Sequence, residues 1–173
     1  MNLAPSFRLA TSADVPTLAA LYADAARKLG GWCYTPEQVA AWSAFGADTP
    51  AFRDYVLGSR TWVAQRVDGV DGDITGVLGF CGIDDHGHVH SLYVRADHNR
   101  RGLGTALLAH AMADARQRGL THFSAWCTPL SEPVFARAGL VVVERPLAEF
   151  EGVAFRRCRM ATPGTTPGAD PAA

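Results

Sequence analysis

One segment, His88–Thr105, constrains this chain more than any other, because it joins a strand, a basic glycine-containing turn and the start of a helix. The first turn of a helix has backbone N–H groups without partners and carries the positive end of the helix dipole. Gly102 and Gly104 let an anion approach those N–H groups without a Cβ in the way. Arg100 and Arg101 add guanidinium donors that suit a pyrophosphate. The segment therefore predicts a diphosphate-binding turn at the end of a strand.

The residues around these glycines exclude the two common nucleotide loops. A nucleoside-triphosphate loop ends in Gly-Lys followed by Ser or Thr, and no such run occurs here. The dinucleotide fingerprint needs a third glycine three residues after the second, where this chain has Leu107. The remaining alternative is a strand–turn–helix joint whose glycines only permit the turn, and two arginines at the helix start disfavour it.

Length and composition fit one globular domain. The chain has 173 residues, of which 48% are hydrophobic, and this is enough for a sizeable core. A net charge of −1 gives no reason to expect binding to nucleic acid or to membranes, and no apolar run is as long as a membrane span. The N-terminus lacks a signal-peptide pattern, and the four scattered cysteines are typical of buried, reduced thiols. We therefore expect a cytoplasmic protein that is a monomer or a homodimer.

Helix and strand signals alternate along the chain. Thr35-Pro36 is a strong helix start, where Gln38 completes a capping box. Three strands joined by short turns predict an antiparallel meander before the basic turn. The domain is expected over 1–160, followed by a disordered tail over 161–173 that is rich in Pro, Gly, Ala and Thr. The predicted helices are 11–30, 35–45, 50–57, 102–118 and 132–138; the predicted strands are 7–10, 61–67, 74–83, 88–94 and 122–127, with a turn over 68–73 and a closing hairpin of 140–143 with 153–160.

In the order of its elements, over Phe7–Met160, the chain resembles the GNAT superfamily of acyl-CoA-dependent N-acyltransferases. The family's loop Gln/Arg-x-x-Gly-x-Gly/Ala is found as Asn99–Gly104 (Asn-Arg-Arg-Gly-Leu-Gly), with Asn in place of Gln or Arg at the first position. Leu92–Val94 before the loop and Phe135–Leu140 near the end resemble further family segments. The resemblance implies an α+β (α/β) GNAT fold, with a mixed, mostly antiparallel splayed sheet of about seven strands flanked by about four helices.

The resemblance also implies an acetyl-CoA-dependent N-acetyltransferase that needs no metal. The gap between the fourth and fifth strands would admit the pantetheine arm, and the loop N–H groups would hold the pyrophosphate. The joint between the first two helices would hold the amine acceptor, with Trp32 and Tyr34 as the candidate contacts. The implied acetyl-CoA-binding residues are Leu92, Tyr93, Val94, Arg100, Arg101, Gly102, Leu103, Gly104 and Thr105.

A small-molecule amine is the expected acceptor. A protein or peptide acetyltransferase, acting on an N-terminus or a lysine, is one alternative. A non-catalytic acyl-CoA-binding sensor is the other alternative. Turnover with a panel of amines would separate these three functions.

Alternating histidines precede the basic turn. His88 and His90 are expected on one face of the strand with Leu92 and Val94, since residues two apart share a face. An amine acceptor is an ammonium ion at neutral pH and must lose a proton, and histidine is the side chain suited to take it. The pattern His-x-His-x-Leu-x-Val is similar to the arylalkylamine N-acetyltransferase branch, in which two histidines are implicated in proton removal. This similarity implies catalytic roles for His90 and His88.

Other interpretations of these histidines stay open. With Asp84 and Asp85 they could ligate zinc, and they could also be solvated strand residues without a chemical role. The proton donor for the leaving thiolate is also open, because Phe135 stands where many relatives have a tyrosine. The alternatives are solvent and the side chains of Thr128, Ser131, Cys127 and Tyr34.

Overall fold

Helices and strands alternate along the chain in the computed structural model, which describes residues 5–66, 76–150 and 152–164. Every helix predicted from local signals is present, with its bounds moved by a few residues. The described ranges hold five α-helices, where the resemblance implied about four. The predicted turn over 68–73 and most of the predicted tail lie outside the described residues. The helices are α1 (Val15–Leu29), α2 (Pro36–Ala44), α3 (Pro50–Leu57), α4 (Leu103–Gln117) and α5 (Glu132–Arg137). The strands are β1 (Ser6–Leu9), β2 (Arg60–Gln65), β3 (Val77–Ile83), β4 (His88–Val94), β5 (Ser124–Cys127), β6 (Val141–Glu144), β7 (Leu147–Phe150), β8 (Val153–Arg156) and β9 (Cys158–Ala161).

Seven strands form one mixed sheet in the order β1-β2-β3-β4-β5-β9-β6. Strands β2, β3 and β4 form the predicted antiparallel meander. Strands β4 and β5 are parallel, and among the described residues they pair only at His88 with Ser124 and at Val89 with Ala125. Beyond that point the two strands separate, which confirms the predicted splayed sheet with its gap between the fourth and fifth strands.

The C-terminal strands differ from the predicted hairpin. The segment 153–160 is two strands instead of one, because the chain leaves the strand conformation at Arg157, whose N–H donates to the carbonyl of Pro146. Strand β8 pairs with β7 in a separate two-stranded sheet, whereas β9 lies between β5 and β6 in the main sheet. Local sequence does not show this break, since each half alternates normally and its partner is set by tertiary packing.

Two apolar clusters cover the two faces of the sheet. On the α4 face, α4 and α5 pack against buried residues of β3, β4, β5 and β9. On the α1 face, α1 and α3 pack against β2 and β3. None of the helices in the described ranges is long and apolar enough to cross a bilayer. The largest buried side chains include Leu107, Leu108 and Met160 on the α4 face, and Leu18, Phe52 and Phe80 on the α1 face.

Gly87, in the turn between β3 and β4, is a position where any side chain should destabilise the fold. Its φ is +85°, and a Cβ there would overlap the carbonyl oxygen of His122. Gly119 has a similar φ of +94°, but a Cβ there would meet open space. Gly87→Ala therefore adds a steric clash to a conformational strain of about 1–2 kcal/mol, whereas Gly119→Ala introduces the strain alone.

Urea unfolding measures this difference. We expect Gly87→Ala to lower the free energy of unfolding by about 3 kcal/mol and Gly119→Ala by about 1 kcal/mol. Equal losses in the two variants would contradict the close packing of the β3–β4 turn.

Candidate active site

The candidate site lies where β4 and β5 separate. The last residue pair between them is Val89 with Ala125, so His90 is the first residue of β4 beyond the junction. From His90 to Val94, β4 extends for about 13 Å with one edge paired to β3 and the other along the gap. The gap therefore runs from His90 toward the loop that begins α4.

The loop before α4 has the backbone geometry of an anion site. Gly102, the N-cap of α4, has φ of +80°, and a Cβ there would meet open space. Arg100 also has a positive φ of 60°, which no other non-glycine residue has in the described ranges. A left-handed residue beside a helix N-terminus produces a concave array of N–H groups that binds anions. This backbone geometry is compatible with the predicted diphosphate site, which stays a prediction.

Asn99 stabilises this loop from within. Its side-chain oxygen accepts a hydrogen bond from the N–H of Arg100 at 2.9 Å. Asparagine supports left-handed turns through such local bonds. The loop therefore accommodates Asn99, where the family usually has Gln or Arg, next to the left-handed Arg100.

A β-bulge interrupts β4 at the start of the gap. Gly82 pairs with Ser91, but the next residue of β3, Ile83, pairs with Val89, so that His90 is an extra residue in β4. The hydroxyl of Ser91 accepts the N–H of Gly82 at 2.8 Å within the bulge. Bulges of this kind re-aim side chains next to functional sites.

The bulge reverses the side-chain alternation along β4. Val89 packs on the α4 face together with Leu92 and Val94, although Leu92 lies three positions after Val89, an odd spacing. His88 and His90 alternate with Val89 and therefore lie on the α1 face. The prediction that His88 and His90 share a face with Leu92 and Val94 is wrong, because one inserted residue changes the face of everything before it.

Asp84, in the turn before β4, holds the histidine pair. Its Oδ2 lies 3.1 Å from Nε2 of His90, and its Oδ1 accepts the N–H groups of His86 and His88 at 2.9 and 2.8 Å. Burial raises the pKa of the Asp84 carboxyl, but these hydrogen bonds together bring it below its ordinary value. Asp84 is therefore a carboxylate at neutral pH, positioned to orient His90. Sequence reasoning considered Asp84 only as a zinc ligand, although an aspartate just before His-x-His is a signal for such a pair.

Asp85, the other carboxylate of the zinc interpretation, points elsewhere. It pairs with Arg118 at 3.2 Å on the protein surface. The described part of the chain holds no group of three His, Cys, Asp or Glu side chains placed to bind a metal ion. The geometry offers no support for zinc at the histidines.

The two histidines contact each other and are held by their neighbours. The rings of His88 and His90 lie 4.9 Å apart, edge to face. Nδ1 of His88 lies 2.9 Å from the hydroxyl of Ser124 on β5, which links the two strands at their junction. The hydroxyl of Tyr55 donates to the carbonyl of His90 at 2.7 Å. Both the ring and the backbone of His90 are therefore held in place.

Aromatic side chains line the α1 face beside the gap. Tyr34 packs against Trp42 and Phe155, with ring centroids 5.7 and 5.4 Å away. Burial raises the pKa of Tyr34 to about 12. The side chain of Trp32 is 71% exposed. The structure therefore brings Tyr34 into the aromatic wall and leaves Trp32 in solvent.

Most of the alternative proton donors have their hydrogens committed elsewhere. Phe135 is buried on the α4 face and carries no donor. The hydroxyls of Thr128 and Ser131 bond to each other at 3.3 Å, and that of Ser131 also donates to the carbonyl of Thr128. The thiol of Cys127 donates to a backbone carbonyl of β9 at 3.2 Å, and burial raises its pKa. The hydroxyl of Tyr34 has no hydrogen-bond partner among the described residues. Tyr34 thus has an uncommitted O–H on this side of the gap.

Comparison with known families decides the identity of the chain. Residues 21–138, well over half of the sequence, match the sequence model of the Acetyltransferase (GNAT) family. The chain belongs to the GNAT acetyltransferase family. Membership makes it an N-acetyltransferase with acetyl-CoA as the acyl donor. No curated protein matches the sequence.

Solved GNAT structures share this fold along nearly their whole length. A GCN5-related N-acetyltransferase from Rhodopseudomonas palustris is 24% identical with a TM-score of 0.83, covering 94% of this chain and 98% of the other. The PaiA N-acetyltransferase of Thermoplasma acidophilum, in complex with coenzyme A, is 13% identical with a TM-score of 0.72, covering 92% and 99%. YncA of Salmonella typhimurium, with acetyl-CoA, is 21% identical with a TM-score of 0.62, covering 98% and 99%. The similarity to the arylalkylamine branch stays a prediction.

Proposed function

We propose that this GNAT enzyme acetylates a small-molecule amine, with His90 as the base that removes the amine proton. The observation that carries the proposal is the placement of His90. It is the first residue of β4 beyond the junction with β5, and it is paired with a charged Asp84. A base at the closed end of the gap, opposite the anion site, suits transfer of an acyl group between a bound thioester and an amine.

The loop and the open edge of β4 are the proposed acetyl-CoA site. The N–H groups and arginines of the loop 100–105 would hold the pyrophosphate. The backbone of Leu92, Tyr93 and Val94 would pair with the pantetheine arm as an added strand would. The side chain of Tyr93 lies on the α1 face, where its hydroxyl accepts a hydrogen bond from the indole N–H of Trp42 at 3.2 Å. When bound, acetyl-CoA supplies the acetyl group as an activated thioester.

Asp84 determines which nitrogen of His90 receives the proton. Because Nε2 faces the carboxylate of Asp84, Nδ1 is left to take a proton from the amine, directly or through water. The negative charge of Asp84 then stabilises the imidazolium that forms. Asp84 is a positioning residue in this proposal, and His88 supports the ring of His90 by edge-to-face contact.

Tyr34 is the proposed hydrogen-bond donor to the departing sulfur. Its phenol stays protonated at neutral pH, since burial raises its pKa to about 12. Its hydroxyl has no other partner among the described residues, and its ring is held by Trp42 and Phe155. A CoA thiol has a pKa of about 8.5, so its thiolate is a moderately good leaving group. A hydrogen bond from Tyr34 is therefore enough to stabilise the departing sulfur, and solvent supplies the final proton.

A small acceptor is favoured by the closure of the α1 face. The side chain of Gln38 on α2 donates to the carbonyl of Ala154 on β8 at 2.6 Å. Tyr34 adds an aromatic contact to Phe155 on the same strand. These contacts join α2 and the joint before it to β8, which would leave less room for an extended peptide than an open groove.

Release of CoA tests this function. The enzyme is mixed with acetyl-CoA and either small primary amines or short peptides, and a thiol reagent reports free CoA above the rate without acceptor. We expect turnover with small amines and little with peptides. Faster turnover with peptides would support the protein acetyltransferase. No turnover with any acceptor, together with a rise in Tm on adding acetyl-CoA, would support the sensor.

A further inference from the structure

Arg157 is a half-buried cation on the acceptor side of the gap. It lies at the break between β8 and β9, and its guanidinium carbon is 4.5 Å from the ring centroid of Trp126. Two nearby arginines, Arg145 and Arg159, form ion pairs with glutamates. Arg157 forms no ion pair with any carboxylate in the described ranges. A partly buried guanidinium without a carboxylate is an incomplete arrangement, because its desolvation is not offset by an opposite charge.

Strand geometry places Arg157 near the proposed base. Trp126 is two residues beyond Ser124 on the same face of β5, a separation of about 7 Å. Ser124 bonds to His88, whose ring contacts that of His90. A chain of contacts through Trp126, Ser124 and His88 therefore connects Arg157 to His90.

The positive charge of Arg157 also acts on two phenols beside the gap, those of Tyr34 and Tyr93. Burial raises the pKa of both Tyr34 and Tyr93, and the Arg157 guanidinium is among the groups that oppose the rise. Tyr34 comes from the joint before α2, and Tyr93 comes from β4. The guanidinium thus lies near residues of β4, of β5 and of the joint before α2.

The guanidinium of Arg157 favours an acceptor that carries an acid group. A guanidinium presents a planar fork of N–H donors that binds a carboxylate through two parallel hydrogen bonds. Contact with the Trp126 ring restricts the orientation of the fork, so less freedom is lost when a carboxylate binds. The same charge repels a second ammonium group and so disfavours diamines.

We propose that Arg157, held against Trp126, binds a carboxylate of the amine acceptor, so that the substrates are amino acids or similar amines carrying an acid group. This inference rests on the proposed function and narrows its substrate class. Specificity would follow from the spacing between two points, the amine at His90 and the carboxylate at Arg157.

Matched acceptor pairs test the proposal. L-Phenylalanine is compared with phenethylamine, and L-methionine with 3-(methylthio)propylamine, since the members of each pair differ only in the carboxylate. For the wild type we expect kcat/KM to favour the amino acid by about 10- to 100-fold. Arg157→Gln should abolish this preference through a higher acceptor KM, and Arg157→Lys should restore part of it. The acetyl-CoA Kd and the rise in Tm with acetyl-CoA should stay as in the wild type.

Arg156→Gln is the control, because Arg156 is the exposed neighbour of Arg157 on β8. It should keep the full preference for amino acids. Equal kcat/KM for both members of each pair in the wild type would overturn the carboxylate proposal while leaving the acetyltransferase function standing. A higher acetyl-CoA Kd in Arg157→Gln, with the preference kept, would overturn it in favour of a cofactor contact. Failure of every amine to react would overturn the proposed function and this inference together.

Discussion

His90→Ala should lower kcat by about 10²- to 10⁴-fold while leaving the acetyl-CoA Kd unchanged. The variant removes the group at the closed end of the gap that takes the amine proton, but it leaves the loop 100–105 intact. Its rate should then depend on amine that has already lost its proton in solution. We therefore expect the rate to rise about tenfold per pH unit toward the acceptor pKa of about 10. Initial rates of CoA release from pH 6 to pH 10 measure both effects.

Asp84→Asn is the companion to this variant. The asparagine keeps a hydrogen bond to His90 but cannot stabilise an imidazolium, so kcat should fall in the same direction as in His90→Ala. His86→Ala is the control, because the His86 side chain is exposed and only its backbone N–H contacts Asp84. An unchanged pH–rate profile in His90→Ala, together with an unchanged kcat in Asp84→Asn, would rule out His90 as the base.

The stability of Asp84→Asn has its own pH signature. The pKa of Asp84 in the folded protein is lowered from 3.8, so its charge contributes stability that is present above pH 3.8. That contribution is lost as the pH falls through the lowered pKa. The gap in stability between the wild type and Asp84→Asn should therefore be present above about pH 4 and shrink below it.

Gly102→Val should weaken acetyl-CoA binding by about 10- to 100-fold. A β-branched residue at φ of +80° is strained by about 1–3 kcal/mol, and the loop escapes this strain by moving its N–H groups away from the diphosphate position. Loss of the correct geometry for several N–H groups acts on the acetyl-CoA Kd directly. Titration calorimetry with acetyl-CoA, together with the ligand-dependent rise in Tm, measures the loss.

Gly119→Val separates this effect from a general loss of stability. Gly119 has a φ of +94° just after α4, at the opposite end of that helix from the loop. The substitution should destabilise the fold to a similar degree but leave the acetyl-CoA Kd within about twofold of the wild type. If both variants bind acetyl-CoA as tightly as the wild type, the loop is not the pyrophosphate site.

Much of the fold could be predicted because its signals are local. The capping box at Thr35 and the proline that follows define the start of α2 whatever packs against it. The same holds for the loop before α4, where Asn99, Arg100 and Gly102 determine a backbone conformation within a few residues. The prediction of a single strand over 153–160 was wrong for the opposite reason. The break at Arg157 depends on which strands lie beside each half.

By itself the sequence determined the glycine-containing turn before α4, the order of helices and strands, and the pairing of histidines two residues apart. Each of these depends on contacts within a few residues, which composition and spacing control directly. Only the tertiary structure decided that His88 and His90 lie on the face opposite Leu92 and Val94. A register shift between β3 and β4 inserts His90, and such a shift is set by the packing of two strands against both cores. Tertiary packing also brought Arg157 to Trp126, so the proposed acceptor site of this acetyltransferase depends on a contact that no local pattern contains.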